Sequence, residues 1–174
     1  KVGKDKEPCT AYMGKDAAGH FVKMVHNGIE YAIMEVISEV YDLLKNGLGY
    51  NNDQLHQVFA RWNEGRLQSF LIEITRDIFA TKDPETGNYL VDMILDKAGA
   101  KGTGKWTSQD AMDTGVAIPT IDVSVAMRTI SAYKDERVQA NKWYAPVVNK
   151  IDIAKDVFAQ QLEDALYLVM IICY

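Results

Sequence analysis

The sequence predicts an all-α fold, a helical bundle built around one long central helix. Three observations support this prediction. Apolar residues recur at helical spacing from about Ala17 to Asn46. Shorter segments repeat that period along the rest of the chain, and no segment shows the strict apolar–polar alternation of a half-buried strand. With 174 residues, the chain is long enough for one substantial core.

The central helix has two chemically different faces. The apolar face consists of Phe21, Val25, Ile29, Ala32, Val36 and Val40. The other face collects an amine, an imidazole, an amide, a carboxyl and a phenol from Lys23, His26, Asn27, Glu30 and Tyr31, followed by Met34. An ordinary surface helix carries solvated charges on its polar side. The chemical variety here therefore predicts a site. Gly47 is expected to close the helix in the left-handed conformation.

The remaining elements are predicted from apolar spacing, caps and breakers. In chain order they begin with a helix 54–64 capped by Asn52 or Asp53, a helix 67–81, a turn 83–88 and a short helix 89–98. There follow a helix from Thr107 or Ser108 to Thr114 closed by Gly115, a helix opened by Pro119, a charged turn 134–137 and a last helix 151–174. The expected inner face of the helix 54–64 is Leu55, Val58, Phe59 and Trp62. The helical period recurs through Phe70, Leu71, Ile74 and Ile78, and again through Val123, Val125, Ala126, Met127 and Ile130.

Charge and cysteine content argue against several classes of protein. A formal net charge of −5 does not suit a general nucleic-acid or membrane-surface binder. Cys9 and Cys173 have neither metal-ligand spacing nor a disulfide framework, which fits a reducing, cytoplasmic compartment. The longest apolar run, 166–174, is about half the length of a bilayer span. Because the chain starts with Lys1 and stops within that run, we expect it to be one domain of a longer protein.

A glycine-rich segment, 99–105, is the second chemical feature. It matches the first seven positions of a Walker A loop, but Trp106 stands where Ser or Thr would hold magnesium. No strand is predicted before it, which argues against a nucleotide-binding P-loop. Its glycines leave backbone N–H groups accessible, and Lys101 and Thr103 add a cation and a hydroxyl, so the loop suits a phosphate. A flexible connector is the alternative interpretation.

Lys23 and Glu30 are seven positions apart in the sequence. That spacing corresponds to about 10 Å along a helix, which is too long for an i,i+4 ion pair but suits groups at opposite ends of a small polyol. A lysine acts as a base near neutral pH only if burial or a nearby cation lowers its pKa from about 10.4. A helix inside the domain is expected to provide that burial.

Four segments resemble the 6-phosphogluconate dehydrogenases, in the family's order. They are GHFVKMVHNGIEY at 19–31, SFLIEIT at 69–75, KGTGKWT at 101–107 and KDERV at 134–138. Lys23 and Asn27 alone also resemble the wider β-hydroxyacid dehydrogenases. His26, Glu30 and the loop at Lys101 narrow the resemblance to the 6-phosphogluconate enzymes.

The resemblance implies an NADP-dependent oxidoreductase of the pentose phosphate pathway, which converts 6-phosphogluconate to ribulose 5-phosphate and CO2 without a metal. It implies that Lys23 is the base that takes the 3-hydroxyl proton while hydride leaves C3, and that Glu30 is the acid that protonates C1 of the enediol. It also implies substrate hydroxyl and carboxylate contacts from His26 and Asn27. The residues that it implies bind the 6-phosphate are Tyr31, Lys101, Thr103 and Arg128.

The resemblance also implies a domain organisation. Residues 1–14 would be the end of a dinucleotide-binding domain, and 15–174 a truncated helical domain for catalysis and dimerisation. NADP would be bound mainly by the missing N-terminal domain, and a second subunit would contribute to the site, so the isolated fragment is expected to be inactive. Ala32 and Ile33 stand where many members carry Gly and Asp, which we expect to be a tolerated packing change.

Two alternatives remain open. The chain could be the helical domain of another β-hydroxyacid dehydrogenase, in which Lys23 and Asn27 serve a different acid. It could also be a non-catalytic helical dimerisation module, which the apolar helix 151–174 favours. Two measurements distinguish these two alternatives from the 6-phosphogluconate dehydrogenase interpretation. They are the dependence of substrate binding on the 6-phosphate and the effect of substituting Lys23 on turnover.

Overall fold

The computed structural model describes residues 10–144 and 151–174. Within these ranges the chain forms seven α-helices, which confirms the predicted all-α class. The helices are α1 (Ala18–Asp42), α2 (Asn52–Asn63), α3 (Phe70–Ala80), α4 (Thr103–Thr114), α5 (Pro119–Ser131), α6 (Lys134–Trp143) and α7 (Lys155–Cys173). Cys9 and most of the segment 1–14, interpreted as the end of another domain, lie outside the described residues.

The predicted central helix is α1, and α4, α5 and α7 all pack against it. Its buried residues include Ala32, Ile33, Ile37 and Val40. The predicted end at Asn46 is approximate, because the α-helix stops at Asp42 and continues as a π-helical turn, Leu43–Gly47. Phe21 is half exposed rather than internal, because a cleft between α1 and α4 opens beside it.

The role predicted for Gly47 is wrong. The left-handed residue is Gly49, with φ of +70°. Gly47 instead permits a close approach, because a Cβ atom there would lie 2.6 Å from Cδ1 of Ile151. The glycine is needed for space and not for its backbone conformation.

Helices α2 and α3 pack against each other, and Phe79 of α3 stacks on Tyr41 in the last turn of α1. The cap of α2 is Asn51, not Asn52 or Asp53. The Asn51 side chain accepts a hydrogen bond from the Gln54 backbone, and the Gln54 side chain accepts one from the Asn51 backbone, each at 2.9 Å, which is a capping box. The predicted inner face of α2 is confirmed by the burial of Leu55, Val58, Phe59 and Trp62.

The apolar residues whose spacing predicted α3 are not the ones that the helix buries most deeply. The buried residues are Ile72 and Phe79, whereas Phe70 is 69% exposed and Ile78 is also exposed. Apolar residues surround almost the whole circumference of this helix, so that spacing alone could not select its buried side. The helix also begins later than predicted, where the Ser69 hydroxyl accepts a hydrogen bond from the Ile72 backbone N–H.

The helix predicted for 89–98 does not form. Only Leu90–Met93 makes one 3₁₀ turn. Lys45 pairs with the Asp92 carboxylate, and Asn52 Nδ2 donates to it at 2.7 Å. These contacts tie the short turn to the α1–α2 junction. The residues 94–101 that follow have no regular structure.

The predicted start of α4 at Thr107 or Ser108 is also wrong. The helix begins at Thr103, because Gly102 adopts φ of +107° and supplies the N-cap position. Thr107 and Ser108 are buried inside the helix instead. Gly115, with φ of +73°, closes the helix as predicted.

Pro119 opens α5 as predicted, but the helix buries Ile121 and Ser124. Several of the apolar residues that predicted this helix are exposed, namely Val123, Met127 and Ile130. The charged stretch 134–137 is not a turn but the first turn of α6, where acidic side chains suit the positive end of the helix dipole.

Helix α7 begins at Lys155, four residues later than predicted, and buries Ala159, Leu162 and Leu166. Several apolar side chains near its end are exposed, namely Leu168, Ile171 and Ile172. In the described part of the chain, no helix has both the length and the apolar character that a bilayer crossing requires.

Candidate active site

Helix α4 crosses α1 at close range because each helix presents a glycine to the other. A Cβ atom at Gly104 would lie 2.6 Å from Cδ2 of Tyr31, and one at Gly28 would lie 3.0 Å from the Thr107 side chain. The Thr107 hydroxyl donates to the Met24 carbonyl at 3.0 Å. This crossing holds the start of α4 beside the polar face of α1.

Tyr31 is the point where α1, α5 and the loop before α4 meet. The Arg128 guanidinium lies 3.7 Å from the centre of the Tyr31 ring, a cation–π distance. Its Nη1 donates to the Gly99 carbonyl at 2.7 Å, and its Nη2 lies 4.0 Å from Sδ of Met34. The guanidinium is therefore oriented by three residues from two other parts of the chain, α1 and the loop before α4.

The start of α4 adds positive character at this place. The first N–H groups of a helix have no intrahelical acceptor, and the N-cap residue Gly102 has no side chain to accept from them. Thr103 is half buried at this start, and Lys101 is exposed just before it. A helix N-terminus beside a guanidinium suits a phosphate group.

Lys23 lies two turns of α1 before Tyr31, at an open cleft of about 580 Å³ that is also lined by Thr103. The walls of this cleft include Phe21 and Trp106. The Lys23 side chain is exposed. The expectation that the domain buries this amine is wrong for the described residues, which leave an open cleft beside it.

His26 and Glu30 contact each other on α1, with Nε2 of the imidazole 3.4 Å from Oε1 of the carboxyl. The contact is an ion pair only when His26 is protonated. Sequence reasoning gave the two residues separate roles and missed it, although i,i+4 spacing is its signal. Asn27 is half buried on the same helix between Lys23 and Glu30.

Comparison with known proteins decides the family. Residues 19–174 match the family model described as 6-phosphogluconate dehydrogenase, C-terminal domain. The chain belongs to the 6-phosphogluconate dehydrogenase family. The NADP(+)-dependent, decarboxylating 6-phosphogluconate dehydrogenase of Bacillus subtilis is 56% identical over 171 residues, which cover 98% of this chain and 36% of that enzyme. A decarboxylating 6-phosphogluconate dehydrogenase of Lactococcus lactis (strain IL1403) is 53% identical over 100% of this chain and 37% of its own length.

A solved structure gives the same result. Plasmodium falciparum 6-phosphogluconate dehydrogenase, described in its apo form, with its cofactor NADP+ and with its substrate 6-phosphogluconate, has a TM-score of 0.86 and 47% identity. The match covers 96% of this chain and 36% of that one. The present chain therefore spans a little over a third of the length of these relatives.

The predicted site residues of this 6-phosphogluconate dehydrogenase domain fall into two groups. Tyr31, Thr103 and Arg128 lie around the start of α4, with exposed Lys101 beside them in sequence. The second group follows α1 towards its start and consists of Glu30, Asn27, His26 and Lys23. The catalytic and binding roles assigned to both groups remain predictions.

Two carboxyl groups near the candidate site have shifted pKa values. Burial, and then the neighbouring Glu39, raise the pKa of Glu35, while Arg128 opposes the rise. A hydrogen bond from Lys134 holds the pKa of Asp96 well below its usual range. Sequence reasoning missed both residues, because the burial of Glu35 and the pairing of Asp96 with Lys134 depend on the packing of other helices.

Proposed function

We propose that this domain binds 6-phosphogluconate and supplies the proton-transfer groups that convert it to ribulose 5-phosphate and CO2, with reduction of NADP. The observation that supports this most strongly is the layout of α1. Tyr31 and Arg128, at the place suited to bind a phosphate, lie two turns of α1 from Lys23. Glu30 lies on the same helix between Lys23 and Tyr31. Family membership, with relatives 56% and 53% identical, supports the same reaction.

Arg128 is suited to hold the phosphate because its orientation is set before any ligand binds. The guanidinium contacts the Tyr31 ring, and one of its nitrogens donates to the Gly99 carbonyl. A prearranged group loses little conformational freedom on binding. Lys101 and the N–H groups at Thr103 would then add charge and donors.

The chemistry begins at Lys23, which takes the proton of the 3-hydroxyl. Lys23 is exposed in the described residues, so the burial that a neutral amine requires would come from the bound substrate and the separate coenzyme domain. Bound NADP supplies the hydride acceptor for C3. The resulting ketone lies β to the carboxylate, so that breakage of the C1–C2 bond releases CO2 and leaves its electron pair in an enediolate. The Lys23 ammonium polarises this oxygen and returns its proton to it, which gives the enediol without a metal. Glu30 then protonates the carbon that lost CO2, while Lys23 takes back the enediol proton, and ribulose 5-phosphate results.

The described residues fit only the nicotinamide end of the coenzyme. The cleft beside Lys23 is open, and Phe21 and Trp106 form part of its wall. The phosphates of a dinucleotide need a strand followed by a glycine-rich turn, which the described ranges lack. We therefore assign the rest of the coenzyme site to a separate domain, of which residues 1–14 would be the end.

We also propose that the working enzyme is a cytoplasmic homodimer. Exposed apolar side chains on α5 and α7 support a subunit contact, and they include Val123, Ile130, Leu168 and Ile171. Sedimentation of the full-length enzyme tests the dimer. A monomer at micromolar concentration would contradict it.

The function is tested with Lys23→Met and Glu30→Gln in the full-length enzyme. Loss of a general base or acid should lower kcat by roughly 10²- to 10⁴-fold, measured as NADPH formation from 6-phosphogluconate. The control is Lys82→Met, because Lys82 is exposed in a distant turn where its amine lies over Tyr89. Its turnover should equal that of the unmodified enzyme. The isolated domain should not reduce NADP.

Two outcomes would favour the other candidates. Lys101→Ala and Arg128→Ala should each raise the KM for 6-phosphogluconate by about tenfold, because each removes a charge-assisted hydrogen bond to phosphate. An unchanged KM would indicate another β-hydroxyacid substrate. Full turnover by the Lys23 and Glu30 variants would instead indicate a non-catalytic dimerisation module.

A further inference from the structure

The irregular segment 94–101 leads into the start of α4 and carries Lys101 at its end. It has no backbone ladder of its own, so its conformation depends on contacts with other elements. Its contacts with α5 and α6 are concentrated on residues 96–99.

Arg137 on α6 makes the most extensive of these contacts. Its Nη1 donates to the Asp96 carboxylate at 3.0 Å, and its Nη2 donates to the Asp96 carbonyl at 2.8 Å. Nη2 also donates to the Ser131 carbonyl at 3.0 Å, in the last turn of α5 where carbonyls lack helical partners. The planar fork of donors in arginine allows one side chain to join a loop and a helix end in this way.

The contacts continue from Ser131 to Arg128. The Ser131 hydroxyl accepts from the Ala98 backbone N–H at 3.0 Å and donates to the Arg128 carbonyl at 2.7 Å. The Arg128 guanidinium then donates to the Gly99 carbonyl at 2.7 Å. Residues 96, 98 and 99 are thus all tied to the end of α5, directly or through Arg137.

We infer that Arg137 is a positioning residue for the segment 94–101, the proposed phosphate-binding loop. It acts through the backbone at Asp96 and through the end of α5. This inference rests on the proposed function, because it assigns the loop's ligand as the phosphate of 6-phosphogluconate. Without Arg137, the loop samples more conformations and must be ordered when the ligand binds, which weakens binding. The reacting end at Lys23 lies on α1 and does not depend on this contact.

The first test is steady-state kinetics of the full-length enzyme with Arg137→Met. The KM for 6-phosphogluconate should rise about tenfold, the size expected for lost hydrogen bonds to a charged group, while kcat changes by less than about twofold. Arg137→Lys should show the same rise, because its single nitrogen cannot occupy both positions from which Nη1 and Nη2 of the arginine donate. If Arg137→Met does not fold, the kinetics of Arg137→Lys test the inference instead.

The matched control is Lys134→Met. Lys134 pairs with the same Asp96 carboxylate but contributes no bond to the loop backbone among these contacts. An exposed ion pair of this kind contributes little, so the KM should stay within about twofold. A rise equal to that of Arg137→Met would overturn the inference, because the carboxylate's charge and not the backbone contact would then be responsible. A fall in kcat as large as the rise in KM would also overturn it.

The second test needs no substrate. Amide hydrogen exchange at residues 96–103 should be faster in Arg137→Met than in the unmodified enzyme, while exchange in α2 stays unchanged and shows an intact fold. Unchanged exchange at 96–103 would overturn the inference whatever the substrate is. Faster exchange with an unmodified enzyme that does not act on 6-phosphogluconate would refute the proposed function and the loop's assigned ligand, but not the structural contact.

Discussion

Replacing Gly104 by alanine tests whether the close crossing of α1 and α4 maintains the site. The new Cβ would lie 2.6 Å and 2.7 Å from two ring atoms of Tyr31, and 3.1 Å from Cγ2 of Val125. Tyr31 is only 9% exposed and carries the Arg128 guanidinium on its ring. Any shift of the ring that relieves the clash therefore moves the guanidinium as well.

The expected loss of stability is the difference between two terms. Overfilling a packed contact costs about 1–3 kcal/mol, while alanine in a helix gains about 0.5–1 kcal/mol over glycine. The net loss then lies between about 0 and 2.5 kcal/mol, with a central value near 1 kcal/mol, and for a domain of this size each kcal/mol shifts the Tm by about 2–4 °C. Gly104→Ala should lower the Tm by up to about 10 °C and raise the KM for 6-phosphogluconate more than it lowers kcat.

Thermal unfolding followed by circular dichroism measures the stability change, and steady-state kinetics of the full-length enzyme measures the KM. Gly19→Ala is the matched control, because Gly19 also lies in a helix and a Cβ there would meet nothing within 4 Å. That variant should keep or slightly raise the Tm and leave the KM unchanged. If Gly104→Ala behaves like Gly19→Ala in both measurements, the crossing does not control the site.

Three further predictions concern stability. Asn51→Ala removes the capping box with Gln54 and should lower the free energy of unfolding by about 1 kcal/mol in urea titrations. Leu55→Ala, at a fully buried position, should lower it by about 2–5 kcal/mol. Burial and Glu39 raise the pKa of Glu35. The stabilising contribution of its protonated carboxyl is therefore fully present below the pKa of the unfolded chain and is lost as pH rises through the folded pKa. Glu35→Gln should therefore be more stable than the unmodified chain at neutral pH, with the difference vanishing near pH 4; a constant difference would contradict this.

The sequence predicted the central helix and the family because both depend on local signals. Lys23, Asn27 and Glu30 share one helix face at helical spacing, which can be read without knowledge of the neighbours. The contacts that orient Arg128 could not be predicted in this way. Its partner Gly99 is 29 residues away, and the two meet only because α4 and α5 pack on the same side of α1.

The segment 89–98 shows where local patterns fail. Leu90, Ile94 and Leu95 have helical spacing, but all three are exposed, so no buried face rewards a helix there. Contacts of Asp92 with Lys45 and with the start of α2 hold the short 3₁₀ turn instead. Such contacts depend on tertiary packing, which overrides a weak local preference.

The reciprocal glycines at the α1–α4 crossing also restrict the size of the ligand. With Gly28 against Thr107 and Gly104 against Tyr31, α4 cannot slide along α1 without bringing large side chains into collision. The start of α4 is therefore held at a fixed distance from Lys23, beside Tyr31, which lies eight positions or about 12 Å further along α1. A sugar acid one carbon shorter could contact Lys23 or the start of α4, but not both. Selection of substrates by chain length would then follow from helix packing, without a side chain that contacts the middle of the ligand.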